Sequence, residues 1–276
     1  MKIVAEIGLA HNGDLRDAIA YIDAVAGAGV DAVKFQCHDG DKCNTFRPGT
    51  FFPQDVDRQA YYKRTAFIPQ QWEMLYTRAK LRGLEFGCSV WSADTVEWLC
   101  PFVDFWKVPS GEVGNLRLLQ AMAETDKLVV LSSGMSTRRE LFEAIHEIRV
   151  HTDKYPIILQ CTSQYPCRAE NIGLELLHQS LAPLSGCGFD GLSDHSGRLA
   201  PGICAAWMGA DMLEVHVCWD KRQLHPDASA SLTIDELALL VRECRFASAM
   251  RANPVDKDAL AASAEIRAMR EIFQCR

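Results

Sequence analysis

The chain has 276 residues, which suits one large domain or two small ones, and 48% of them are hydrophobic, enough for a substantial core. A formal charge of −7 argues against nucleic acid or an anionic membrane as the main partner, while leaving open a small anionic substrate that feels only the local field. No apolar run is long enough to span a bilayer, and the opening MKIVAEIGLAHNG turns polar too early for a signal peptide. Eleven cysteines, an odd number with no CxxC pair, read as reduced thiols in a cytoplasmic protein rather than as a disulfide framework or structural zinc.

In chain order, eight β-like segments recur: KIVAEIG, AVKFQC, EFGCSV, FWKVPS, VVLSS, IILQCT, GLSDHS and LEVHVC. Helical patterns fall between most of them, at 14–28, 69–82, 115–125, 138–149, 200–208 and 234–250. Gly29, Gly83 and Gly209 follow helices as C-terminal caps do, and Asp94, Ser136 and Thr233 read as N-caps. Strand alternating with helix predicts a parallel sheet. Eight units predict a single closed (β/α)8 barrel over 1–276, near the usual size of about 250 residues. The alternative is an open doubly wound sheet, whose Gly-rich first turn GLAHNG matches poorly. Residues 38–65 break the rhythm with charges, prolines and aromatics but no period. That stretch follows the second strand, which in a barrel puts it on the active face as a lid, a substrate rim or a plain surface insertion. Residues 256–273 read as one amphipathic helix closing the domain.

Side chains two apart on a strand share a face. Ser193 then points with His195, and Glu214 with His216, while Leu192, Val215 and Val217 point the other way. Two imidazoles and a carboxylate from neighbouring strands are candidate ligands for a divalent metal. The other strand ends add Glu6, then Lys34 and Gln36, Ser89, Lys107 and Ser110, Ser132 and Ser133, Thr162, Ser163 and Tyr165, and Asp227 of an HPD turn. His11, Asn12 and Glu112 stand close beyond strand ends. Two lysines among serines suit a phosphate or carboxylate. A lysine also forms Schiff bases, so a class I aldolase stays open on chemistry alone, although the histidine pair favours metal.

Taken together, AEIGLAHNGDL, GVDAVKFQ, WKVPSGEVGNLRLL, LSSGMST, QCTSQYP, GLSDHSG, LEVHV and a PD turn run in order over nearly the whole chain. They resemble the sialic acid synthase family, (β/α)8 barrels that condense phosphoenolpyruvate with an N-acylated sugar. The resemblance implies that His195 and His216 hold a divalent metal, Mn2+ or Mg2+. It implies that Lys107, Ser110, Ser132 and Ser193 bind phosphoenolpyruvate, with Lys34 and Ser89 nearby. Glu6, Gln36, Tyr165 and Asp227 would face the sugar, and Glu214 would be an active-site carboxylate for proton transfer. Ala10 and Ser163 stand where members often have Asn, and both retune the sugar pocket. The implied reaction has the metal polarise the sugar aldehyde, the enol carbon attack it, water add, and phosphate leave to give a 2-keto-3-deoxy nonulosonic-type acid. The acceptor would be N-acetylmannosamine or a related amino sugar.

Members commonly continue into a C-terminal antifreeze-like domain that covers the partner's site in a homodimer and contributes a sugar-binding arginine. This chain ends at Gln274-Cys275-Arg276, about where that linker would begin, so Arg47, Arg58 or Arg64 become candidates for the missing contact. Two rival readings remain: a metal-dependent aldolase or isomerase on the same scaffold, and a non-catalytic partner subunit of a synthase.

Overall fold

The computed structural model describes residues 1–38, 58–179, 181 and 188–273. Eight parallel strands form the centre: β1 (Lys2–Gly8), β2 (Ala32–Cys37), β3 (Glu85–Val90), β4 (Phe105–Val108), β5 (Leu128–Ser132), β6 (Ile157–Cys161), β7 (Gly191–Asp194) and β8 (Met212–Cys218). Each pairs with the next in sequence and β1 pairs with β8, so the sheet closes into a (β/α)8 barrel. A two-residue β9 (Leu232–Thr233) extends beside the end of β8. The strands read as near-continuous apolar runs because barrel and helices bury both faces.

The helices are α1 (Leu15–Gly27), α2 (Arg58–Thr65), α3 (Pro69–Leu81), α4 (Ala93–Leu99), α5 (Leu116–Glu124), α6 (Arg138–His151), α7 (Ala200–Met208), α8 (Ile234–Ala252), α9 (Lys257–Ala261) and α10 (Ala264–Phe273). None is long and apolar enough to cross a membrane. In α6 the buried residues Leu141, Ala144, Ile145 and Ile148 follow a 3.6-residue period and form the stripe that packs inward. Thr137, not Ser136, caps this helix: its hydroxyl accepts from Glu140 N and the Glu140 carboxylate returns to Thr137 N. Ser92, not Asp94, caps α4 by accepting from Thr95 N. Thr233 caps α8, and Gly29, Gly83 and Gly209 take the left-handed conformation just past α1, α3 and α7.

Two further expectations, for 38–65 and for the tail, are corrected. Of 38–65, residues 39–57 lie outside the described residues, and Arg58–Thr65 are helical rather than irregular, as Arg, Gln, Ala and Lys favour. Between β6 and β7 the described residues form two 3-10 turns and no α-helix. The tail is two helices, because Ser263 caps a new one by accepting from Ile266 N. No residue of either is buried, so the tail does not close the domain.

Inside the barrel the period of two sets the site. At the floor stand Val4, Ala32, Phe105, Val130, Leu159 and Met212, buried in one cluster. Gly87 leaves room for Phe105: a Cβ there would come within 2.2 Å of its ring. Two residues further along each strand come Glu6, Lys34, Ser89, Lys107, Ser132, Cys161, Ser193 and Glu214. All eight are buried. An apolar floor therefore lies one step below a fully polar level.

Candidate active site

The polar level is an alternating chain of charges. Lys34 Nζ lies 2.7 Å from Glu6 Oε2 and 3.9 Å from Glu214 Oε2. Lys107 Nζ donates to Glu214 Oε1 at 2.8 Å, and Ser193 Oγ donates to the same oxygen at 3.0 Å. Lys34 also donates to Ser89 Oγ, and Gln36 Nε2 donates to Glu6 Oε1 at 2.7 Å. Two cations and two anions are paired out of water, as buried charges require.

Their surroundings push the two carboxyls apart. Burial and the nearby Glu214 charge raise the Glu6 pKa, against the opposing pull of Lys34. Burial works the same way on Glu214, but Lys107 and Lys34 outweigh it and hold that carboxyl below the usual range. Glu214 is thus held as the anion of the pair, and Glu6 is the more readily protonated of the two carboxyls.

Above this level stand the imidazoles. His216 is on β8 opposite Glu6 of β1; His195, expected within the strand GLSDHS, lies one residue past the end of β7. Their ring centroids are 5.3 Å apart. Burial, then the neighbouring His195, keep His216 neutral. Burial also opposes charge on His195, but Cys161, the Thr162 carbonyl and Glu214 outweigh it and lift its pKa to about 9. As an imidazolium it donates from Nδ1 to Thr162 O and from Nε2 to the Tyr165 hydroxyl oxygen, each at 3.0 Å. Tyr165 stacks on His195 and meets His216 edge-on. Asp227 Oδ2 lies 3.7 Å from His216 Nδ1, and burial lifts its carboxyl to about 6.

Among the described residues no group of three or more His, Cys, Asp or Glu converges as a metal cage. The neutral His216 and the adjacent His195 nonetheless fit a divalent cation that completes its shell with water and substrate oxygens. Such a cation would displace the proton on His195.

The fourteen residues to which the family resemblance gave a place in the site line one cavity of about 350 Å³. Ser110, Ser132 and Ser163 form its serine wall, where Gly134 N donates to Ser110 Oγ and a Cβ on Gly134 would strike both Ser110 and Ser163. Other strand-end polar groups do structural work. His11 stacks on Phe67 and accepts from Gly13 N. Ser133 binds Gln160 and Cys161 N, Thr162 donates to Asn171 O, and Glu112 accepts from Asn115. Arg64 donates to the Asn12 backbone and side chain and does not line the cavity. Arg47 and the Arg58 side chain lie outside the described residues.

The sequence reading missed three residues. Cys161, counted there only among the reduced thiols, faces the polar level with its thiol 3.8 Å from His195 Nδ1. The attraction of His195 outweighs burial and lowers its pKa. His38 and Trp91 line the mouth with Tyr61 and Tyr62. Counting in twos would have found all three: Cys161 follows Leu159, His38 follows Gln36, and Trp91 follows Ser89.

Comparison with known proteins agrees with this geometry. The model of the NeuB family matches residues 21–256. The N,N'-diacetyllegionaminic acid synthase of Legionella pneumophila is 32% identical over 272 residues, covering 89% of this chain and 71% of that protein. The human N-acetylneuraminate-9-phosphate synthase is 33% identical, with 91% of this chain and 71% of that protein covered. The crystal structure of an N-acetylneuraminic acid synthetase from Leptospira borgpetersenii in complex with citrate superposes with a TM-score of 0.81 at 24% identity, covering 99% and 92% of the two chains; at that identity it speaks for the fold. The chain belongs to the NeuB family, the sialic acid synthase family. By that membership it is a phosphoenolpyruvate-dependent sugar-acid synthase.

Proposed function

We propose that the cavity joins phosphoenolpyruvate to an N-acyl amino aldose such as N-acetylmannosamine, giving a 2-keto-3-deoxy nonulosonic-type acid and phosphate. The observation that carries this is the pair of buried lysines, Lys34 and Lys107, standing among serines in the same cavity that His195 and His216 line. The two lysines can offer charge-assisted contacts to an anionic substrate, with Ser89, Ser132 and Ser193 at the same level of the barrel.

In this reading Lys107, Ser110, Ser132 and Ser193 take the phosphate and carboxylate of phosphoenolpyruvate, with Lys34 and Ser89 at their side. Gln36, Ser163, Tyr165 and Asp227 orient the sugar above it. His195 and His216 would hold Mn2+ or Mg2+, which when bound supplies Lewis-acid polarisation of the sugar aldehyde. The enol carbon attacks the aldehyde carbon and a C–C bond forms, while Glu6 gives its proton to the aldehyde oxygen. Positive charge develops on the phosphate-bearing carbon beside the fixed anion Glu214. Water adds there and loses a proton to the now ionised Glu6. The C–O bond to phosphate then breaks as the new hydroxyl becomes the ketone and passes its proton to the departing phosphate, which the lysines and serines hold. The eight free cysteines among the described residues support a reducing, cytoplasmic setting. A homodimer rests on the family resemblance alone.

The test is phosphate release measured with phosphoenolpyruvate and a panel of aldoses. Release that needs both substrates supports the reading. Turnover of an aldol-type substrate with no need for phosphoenolpyruvate would overturn it.

A further inference from the structure

The mouth of the cavity holds a stack of rings that the reaction above does not use. His38 lies between Tyr62 and Trp91, with ring centroids 3.9 and 3.7 Å away and interplanar angles of 6° and 24°. Its Nε2 is 3.1 Å from Gln36 Oε1, and Gln36 Nε2 donates to Glu6 Oε1 at 2.7 Å. While the Glu6 carboxyl is ionised, these contacts fix the hydrogens. Glu6 Oε1 accepts, so Gln36 turns its amide nitrogen toward Glu6 and its carbonyl toward His38. His38 must then carry a hydrogen on Nε2. A reversed amide would set one oxygen against another. Gly8, at φ +56°, leaves the space for this pair: a Cβ there would come within 3.2 Å of Gln36 Nε2 and 3.3 Å of Glu6 Oε1.

We propose that His38 is a positioning residue for the condensation. Clamped by Tyr62 and Trp91, it holds the Gln36 amide in one orientation, and the amide holds the Glu6 carboxyl toward the sugar. The other Glu6 oxygen is already held by Lys34, so the His38–Gln36 arm completes the restraint. This rests on the reading of Glu6 as the sugar-side proton carrier.

The test is a double-mutant cycle. His38→Phe keeps a ring between Tyr62 and Trp91 but removes the donor. Expected is a loss of about tenfold in kcat/KM for the aldose, with the KM for phosphoenolpyruvate changed less than about twofold. In a Gln36→Ala background, adding His38→Phe should cost nothing further, because the arm is already broken. A ring that only packs would instead cost the same in both backgrounds. That result, or wild-type kinetics in His38→Phe, overturns the proposal. If His38→Phe does not fold, His38→Ala is assayed with added imidazole: recovery of aldose kinetics that depends on Gln36 supports the proposal, and no recovery overturns it. Wild-type protein that releases no phosphate with any aldose overturns the functional reading, and this proposal with it. Active wild type with additive variants overturns this proposal alone.

Discussion

Lys107→Met separates a substrate-binding lysine from a structural one. Lys107 Nζ is 2.8 Å from Glu214 Oε1, and both side chains are at most 5% exposed. At an effective dielectric near 20 the gross attraction is about 6 kcal/mol. Relief of the lysine's own desolvation returns part of this, and breaking a buried pair typically costs about 3–5 kcal/mol. Glu214 keeps Ser193 at 3.0 Å and Lys34 at 3.9 Å, so the lower end applies: about 3 kcal/mol, or a fall in Tm of about 6–12 °C for a chain of this size. Methionine preserves the stem's packing, which keeps cavity effects small. If Lys107 also grips phosphoenolpyruvate, the lost charge-assisted contact adds about 1.5–3 kcal/mol to substrate binding, a rise in KM of about 10- to 150-fold. Phosphate release is measured against phosphoenolpyruvate at saturating aldose, well below the variant's Tm. A lowered Tm with an unchanged KM and kcat would refute the assignment and leave Lys107 as a structural counter-ion.

Three further outcomes are expected. His195→Ala and His216→Ala should each abolish Mn2+ binding in a calorimetric titration while remaining folded; undiminished binding, or full wild-type activity in chelator, removes the metal assignment. The stability that His11 and His225 contribute should be lost as pH drops from about 6.5 to about 4, because burial lowers their pKa to about 4 and the unfolded chain takes up protons that the folded one refuses; Asp227, lifted by burial to about 6, works the other way below that pH. The loss is about 3 kcal/mol for each histidine, absent above pH 6.5 and complete below pH 4, and His225→Gln should flatten the slope of Tm against pH; an unchanged slope would be wrong for this account. Glu6→Gln should lower kcat more than it raises the KM for phosphoenolpyruvate, while Glu214→Gln should impair both, since it also releases Lys107; equal effects in the two variants would contradict the separate roles.

The barrel was legible because its strands are apolar on both faces and its helices carry their own stops. The polar level was legible for a simpler reason: each of its residues stands two beyond a floor residue. Where the reading slipped, the cause is specific. Ser136 and Thr137 are adjacent hydroxyl residues, and only the Glu140 that completes the box with Thr137 decides between them. Cys161 was passed over because cysteine more often packs as a hydrophobe than faces a site. The ring stack joins His38 past β2, Trp91 past β3 and Tyr62 of α2; counting in twos reaches the first two, but no local pattern brings Tyr62 to them. The amphipathic pattern of α10 was correctly helical, but periodicity says which face is apolar and not what lies against it: Met269, Ile272 and Phe273 are exposed.

The apolar floor explains why the charged level is built as it is. Phe105 and its neighbours deny water to the underside of Lys34 and Lys107, so each charge must find its partner sideways or above. Sideways, the carboxylates of Glu6 and Glu214 stand in reach, with Ser89 beside Lys34. Above, the cavity is open, and an anionic substrate entering there offers the lysines a second partner. Lys107, in turning toward it, would loosen its hold on Glu214, whose pKa depends first on that contact among the groups that lower it. Glu6 has no such dependence on Lys107, and its other oxygen is held by Gln36. Binding of the anion therefore acts unequally on the two carboxyls, bringing their pKa values closer. That makes the order of addition consequential: the arrangement favours phosphoenolpyruvate first, because it reaches the floor only before the sugar fills the mouth. Initial-rate kinetics with a dead-end analogue of each substrate can check this. An aldose analogue should be uncompetitive against phosphoenolpyruvate, and competitive or noncompetitive inhibition would show that the floor is filled by another route.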